Sequence, residues 1–307
     1  MNRRGFVRNS LYAAGIGYLN TLPFSALDIP REEILHLTLL HTNDVHSRID
    51  PFPDDGSRNA GQGGVAKRKV LIDKIRAEGQ QTLLLDAGDI FQGTPYFNLY
   101  KGELEMKLMT ELGYDVGTIG NHDFDAGIEN LAIQMKHADF PLVISNYDIR
   151  DTPLEGKVDN MRIWNFDGIK VGLYALGIEL DGLVPKALYG ETVYHDPIKI
   201  AQQYEQRLAD EMNCDYVICL SHLGFRYDGD IVADVVIAQE TEKTDLIIGG
   251  HTHTFMFEPH VEKNKKGRPV LINQVGFAGI LLGRIDLYFE KGSRRKAQSG
   301  SAINVMS

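Results

Sequence analysis

The 307-residue chain has two cysteines, one tryptophan and no surplus of positive charge. Each shortage excludes something. Two cysteines, Cys214 and Cys219, cannot make the disulfide framework of a small secreted scaffold. The run YVICL (216–220) reads as a strand that holds the thiols about 16 Å apart, too far to bridge. Two packed, unpaired thiols are expected. Lysine and arginine number 32 against 42 aspartate and glutamate, a net charge of −10. A chain this acidic has no general attraction for a nucleic-acid backbone or an anionic membrane. An anionic substrate therefore needs a local positive element, and a metal site supplies one. No run reaches the roughly 20 strongly apolar residues of a membrane span. No internal repeat and no long linker interrupt the chain. Its 43% apolar and 24% charged residues are ordinary for a soluble globular protein.

The first 27 residues read as a targeting segment. Arg3-Arg4-Gly5-Phe6-Val7-Arg8 precedes a modest apolar run broken by Gly15, Gly17 and Pro23, with small residues at Ser25-Ala26. This pattern resembles the twin-arginine export motif. It implies a periplasmic mature protein with no stable membrane insertion.

Beyond it, apolar runs alternate with helical stretches. Strands are predicted over 35–41, 82–86, 115–119, 141–145, 161–166, 170–176, 216–220, 245–248, 269–274 and 279–289. Helices are predicted over 63–78, 103–112, 127–137 and 198–212. Asp167-Gly168 marks a hairpin turn. The alternation predicts an α/β fold in one domain over 30–290. The polar, small-residue end, 291–307, reads as a flexible tail.

Polar clusters follow five of the strands. They are Asp44-x-His46, Gly88-Asp89, Gly120-Asn121-His122-Asp123, Ser221-His222 and Gly249-Gly250-His251-Thr252-His253. Ligand sites of α/β sheets gather at strand carboxyl ends, so five such clusters point to one convergent site. Residues two apart on extended chain face one side, which pairs Asp44 with His46 and His251 with His253. Imidazoles mixed with carboxylates suit Mn, Fe or Zn better than Ca or Mg. Seven ligands suffice for two ions if one carboxylate bridges.

The segments LLHTNDVH (39–46), GDIFQGTP (88–95), LGYD (112–115), GNHDFDAG (120–127), SHLG (221–224) and GGHTH (249–253) resemble the calcineurin-like metallophosphoesterases. Within them they resemble the catalytic domain of 5′-nucleotidases, over about 36–290. The resemblance implies a four-layer α/β/β/α sandwich of the metallo-dependent phosphatase type, with two divalent transition-metal ions. Position by position, Asp44, His46 and His253 would hold one ion and Asn121, His222 and His251 the other. Asp89 would bridge them. His122 matches the catalytic histidine and Asp125 its partner. Asp123 stands where the family often has Glu and is left outside the ligand set. The implied reaction is hydrolysis of phosphate monoesters, 5′-nucleotides or related compounds, by a two-metal bridging-hydroxide mechanism. His122 would stabilise the transition state or protonate the leaving alkoxide.

Other residues read more plainly. His41 is expected to be a structural strand-end histidine. The glycines of 61–64 lack phosphate-loop spacing and open a helix. Phe91 and Tyr96 line a pocket or pack in the core. The family's second domain, which holds the base and supplies arginines, has no counterpart in these motifs. Trp164 lies far from them, so neither an aromatic platform nor an arginine contact is legible. A separately encoded protein resembling that domain is one expected partner, and a local pocket in loops 51–62 or 179–197 is the other source of specificity. Alternative activities on this scaffold are a cyclic-nucleotide phosphodiesterase, a UDP-sugar hydrolase or a thiosulfohydrolase. A metal-binding subunit dependent on its partner is the non-enzymatic alternative.

Overall fold

The computed structural model describes residues 33–292 and 296–306. The expected export signal at 1–27 lies outside the described residues. From the first half come strands β1 (Ile34–Thr42), β2 (Gln81–Asp86), β3 (Val116–Gly117) and β4 (Tyr147–Asp148). With them come helices α1 (Val65–Arg76), α2 (Pro95–Tyr100), α3 (Glu103–Leu112) and α4 (Ile128–Gln134). The second half adds β5 (Met161–Phe166), β6 (Ile169–Gly177), β7 (Val193–Tyr194), β8 (Tyr216–His222) and β9 (Leu246–Gly249). Strands β10 (His260–Lys263), β11 (Pro269–Asn273), β12 (Leu281–Glu290) and β13 (Lys296–Asn304) follow. Its helices are α5 (Lys186–Tyr189), α6 (Pro197–Gln206) and α7 (Asp234–Glu240).

Side-chain alternation stacks these elements in layers. Leu37, Leu39, Leu83 and Leu85 face one way and meet Leu173, Ile218, Leu220 and Ile248 of the second sheet. Leu40 and Leu84 face the other way, onto Ile72 and Ile75 of α1 and Met106 and Met109 of α3. Tyr174, Val217, Cys219 and Ile247 pack beneath Ala201 and Tyr204 of α6 and Val235 and Ile237 of α7. Strands buried on both faces read as nearly continuous apolar runs, which is why they were legible. The result is a four-layer α/β/β/α sandwich. The first sheet has the order β13-β12-β1-β2-β3 and the second β10-β11-β9-β8-β6-β5. The β1-β2-β3 and β6-β8-β9-β11 neighbours are all parallel. Cys214 and Cys219 are both free. No helix of the described residues is long and apolar enough to cross a membrane.

Several elements differ from expectation. The expected flexible tail at 291–307 contains β13, paired with β12 from Leu281↔Asn304 to Phe289↔Lys296. Its small polar residues carry no apolar alternation, so only the backbone ladder marks the strand. The expected strand over 115–119 shrinks to the two residues of β3. That over 141–145 keeps only single bridges, Gly117↔Leu142 and Val143↔Asp159. The helix expected over 198–212 leaves α geometry at Gln206 and closes with a π turn, Arg207–Glu211. The hairpin turn is as expected: Asp167 and Gly168 both take positive φ, 51° and 93°.

Candidate metal centre

Parallel strands send their carboxyl ends to one edge of each sheet, and the two edges meet. Directly after β1, the Asp44 N–H donates to the Gly88 carbonyl (2.9 Å) and the His46 N–H to that of Asp89 (3.0 Å). Across the sandwich, the His251 N–H donates to both oxygens of Asp44 (3.0 Å each). The chain must turn sharply here to aim its side chains back over the edge. Asp44, His46, Asp89, His251 and His253 all have positive φ, between 50° and 74°. Left-handed backbone at non-glycine residues costs roughly 1–3 kcal/mol each and gathers at functional sites. Gly250 keeps this junction closed. A Cβ there would lie 2.8 Å from His222 Nδ1 and 2.9 Å from the Ala87 carbonyl oxygen.

Two groups of donor atoms result, Asp44–His46–His253 and Asp89–His222–His251, each with its ligand atoms within 4.8 Å of one another. In the first group, His46 Nε2 and His253 Nε2 are 3.0 Å apart, and His253 Nε2 is 3.3 Å from Asp44 Oδ1. In the second, His222 Nε2 is 3.1 Å from Asp89 Oδ2. Asn121 joins it, its Oδ1 2.9 Å from His251 Nδ1. Asp89 lies between the groups, with Oδ2 also 3.8 Å from His46 Nε2.

These residues fit divalent metal ions. His222 donates from Nδ1 to the Ala87 carbonyl (2.7 Å), so its buried Nε2 presents a lone pair with no hydrogen-bond partner. His46 Nδ1 likewise lies 3.3 Å from the Phe91 carbonyl, and its Nε2 faces His253 Nε2 at 3.0 Å. Lone pairs aimed at one another and at two carboxylates repel unless a cation lies among them. The charges agree. Burial alone would lower His222, yet Asp89 and then Asp44 raise its pKa to about 10. Burial would raise Asp89, but His222, His46 and His122 hold it below the usual carboxylate range. Burial, together with the charge of His222, lowers His251 to about 4, and burial also lowers His46. Burial keeps His251 neutral and biases His46 the same way beside an ionised Asp89, while the two carboxylates that draw a proton onto His222 create the same demand for a cation among these donors.

His122 and Asp125 stand apart from both groups. The 3₁₀ turn His122–Phe124 brings His122 Nδ1 within 2.8 Å of Asp125 Oδ2. The His122 N–H donates to Asp89 Oδ1 (2.8 Å). Its side chain is 38% exposed, so the ring borders solvent. The hydrogen bond to Asp125 raises its pKa.

A family model for calcineurin-like phosphoesterases matches residues 37–255. The chain belongs to this family. The 5′-nucleotidase of Bos taurus is 33% identical over 318 residues, 95% of this chain and 53% of that protein. Snake venom 5′-nucleotidase of Gloydius brevicauda is 33% identical over 288 residues, 87% of this chain and 47% of that one. The solved structure of a 5′-nucleotidase precursor from Thermus thermophilus superposes with a TM-score of 0.77 at 32% identity. The match covers 88% of this chain and 54% of that one. The chain spans about half the length of the curated relatives it matches.

All nine site residues singled out from the sequence lie at this phosphoesterase edge. Four supporting residues were not singled out. Asp123 accepts from the backbone N–H groups of Asp89, Ile90, Phe91 and Gly120 at 2.7–3.1 Å, clamping the loop that carries Asp89. Burial and the charge of Asp89 push its pKa up to about 7. Asn43 donates to Asp44 Oδ2 (2.6 Å) and to the Gly276 carbonyl (2.7 Å). Asp234 and Gln274 hydrogen-bond each other (3.0 Å), and Gln274 also donates to the Gly250 carbonyl. Asp123 and Asn43 sit inside quoted motifs, so their position was the available signal. Asp234 and Gln274 carry none. His41 is structural as expected. It is fully buried with Nε2 2.8 Å from Asn273 Oδ1, and burial lowers its pKa to about 4. Phe91 is core, buried and 5.5 Å from the Phe97 ring. Tyr96 donates to Asp50 at the surface.

Proposed function

We propose that the chain is an exported hydrolase of phosphate monoesters, most suited to 5′-nucleotides and related compounds. The supporting observation is the convergence of seven donor residues from five strand ends beside an exposed, carboxylate-backed His122. Asp44, His46 and His253 would hold one divalent transition-metal ion, Asn121, His222 and His251 a second, and Asp89 both. Such ions lower the pKa of water and neutralise phosphoryl oxygens. The protein supplies the rest. Asp89 orients His122 through its N–H, and Asp125 fixes the ring through Nδ1. Nε2 is then left to carry a proton to the leaving oxygen. An alkoxide is a poor leaving group, so that proton matters most for alkyl esters.

Protein purified without chelator and reloaded with Mn²⁺ should bind two ions per chain by elemental analysis. It should release phosphate from 5′-nucleotides in a substrate panel that includes cyclic nucleotides, UDP-sugars and sulfur esters. Saturation at one ion or none, or turnover confined to another panel member, would sink this reading.

The proposal includes export by the twin-arginine route to the periplasm. Replacing Arg3 and Arg4 with lysine should trap precursor in the cytoplasm. Unchanged export of that variant would point to an ordinary secretory signal. It also includes a separate protein, resembling the other half of the relatives, that docks over the metal face and raises activity. A micromolar KM for one nucleotide with the chain alone would remove that partner.

A further inference from the structure

A stack of rings begins at the candidate metal centre and runs out to solvent. The His253 and Phe277 rings lie nearly parallel, with centroids 5.2 Å apart and planes 16° off. Phe255 meets Phe277 edge-on at 5.8 Å, and Phe52 does so at 6.3 Å. The Arg48 guanidinium covers the Phe52 ring, 4.3 Å from its centroid. These residues come from three segments that are remote in sequence, following β1, β9 and β11.

The outermost ring is held in place and left open. Phe255 pairs with Val275 through an isolated bridge. Its ring lies over Gly276, where a Cβ would collide with it. Phe255 is 38% exposed and Phe257 58%, while Met256 between them is only 8% exposed. That alternation turns two phenylalanine rings to solvent beside a metal ligand. Such rings offer apolar area that a flat ligand ring can cover.

Resting on the phosphate-ester reading above, we propose that Phe255 is the stacking surface for a flat aromatic ring carried by the leaving group. Phe277, Phe52 and Arg48 act through it as positioning residues. The occupant follows from the setting. Phe255 is one ring, Phe277, removed from His253, so a leaving group extending from a phosphate at the His253 end would run toward it. One phenyl ring, rigidly backed, presents a surface the size of a planar base. An open-chain polyol gains little from such a surface. Stacking needs no opposite charge, so the acidity of the chain does not oppose it.

Two measurements on the full chain test this. For the Mn²⁺-loaded protein, kcat/KM is compared for adenosine 5′-monophosphate and ribose 5-phosphate. Phe255→Leu keeps apolar bulk and loses the ring. The ratio of the two kcat/KM values should fall about tenfold to a hundredfold, through KM, which is the span of one stacked base. Phe255→Trp should restore it. An unchanged ratio, or an equal fall for both esters, overturns the proposal. Saturation-transfer NMR with adenosine, which carries no phosphate, reads the surface without turnover. Transfer to the base protons should appear with the native chain and vanish with Phe255→Leu. Transfer without hydrolysis of either ester would sink the phosphatase reading and leave the stacking surface standing. Hydrolysis of both esters with no transfer would do the reverse.

Discussion

Asp89→Ala should abolish phosphoesterase activity and strip metal from both groups of ligands. The two oxygens of Asp89 link His122 to histidines of both groups. One oxygen accepts the His122 N–H at 2.8 Å, and the other lies 3.1 Å from His222 Nε2 and 3.8 Å from His46 Nε2. Alanine removes an anion that both groups share and frees the turn carrying His122. It also leaves the buried Nε2 of His222 without the nearest of its two carboxylates. Asp89→Asn keeps the shape and removes the charge, so it should lose most of the metal as well. Elemental analysis and phosphate release, with circular dichroism to establish folding, measure all three effects. A folded alanine variant that keeps two ions and a tenth of native turnover would refute the bridging role.

His122→Ala should behave differently, keeping metal content while lowering kcat by roughly 10²–10⁴, the span usual for general acid–base catalysis. The ring belongs to neither ligand group. It is tied to the site by its backbone N–H, which alanine retains, and by Asp125. The loss should be largest for alkyl phosphates and smaller for p-nitrophenyl phosphate, whose leaving group departs without a proton. Equal losses for both esters would leave His122 an electrostatic role only. Removal of Asp125 should produce a weaker version of the same pattern, because the ring then turns freely and its raised pKa relaxes.

The site was legible because its chemistry is written in short contiguous segments. Asp44-x-His46, Asn121-His122 and His251-x-His253 each sit just past a strand whose two faces are buried, so pattern and position reinforce each other. What stayed hidden depends on contacts between distant segments. Asn43 looks like a neighbour of Asp44, but it ties β1 to Gly276 and Val275, more than 230 residues on. Asp123 looked like a mild departure outside the ligand set, yet its two oxygens hold four backbone N–H groups of two loops. The tail looked loose because small polar residues leave an edge strand without a side-chain signature. Phe52, Phe255 and Phe277 are ordinary as letters, and a ring stack emerges only when their three loops meet beside His253.

The sequence alone determined the α/β class and the strand ends that carry polar groups, and its family resemblance pointed to the layered sandwich and to nine candidate site residues. The first two follow from local periodicity and side-chain chemistry, and the resemblance rests on motifs that short segments contain in full. The tertiary structure alone decided which donors share a group, which nitrogen of His222 is left bare, and where the aromatic surface lies. It also decided that five of the seven candidate ligands stand in left-handed backbone. Those properties depend on distances across the seam between two sheets. Residues such as Asp44 and His251, 207 positions apart, acquire them only when both sheets close on one edge.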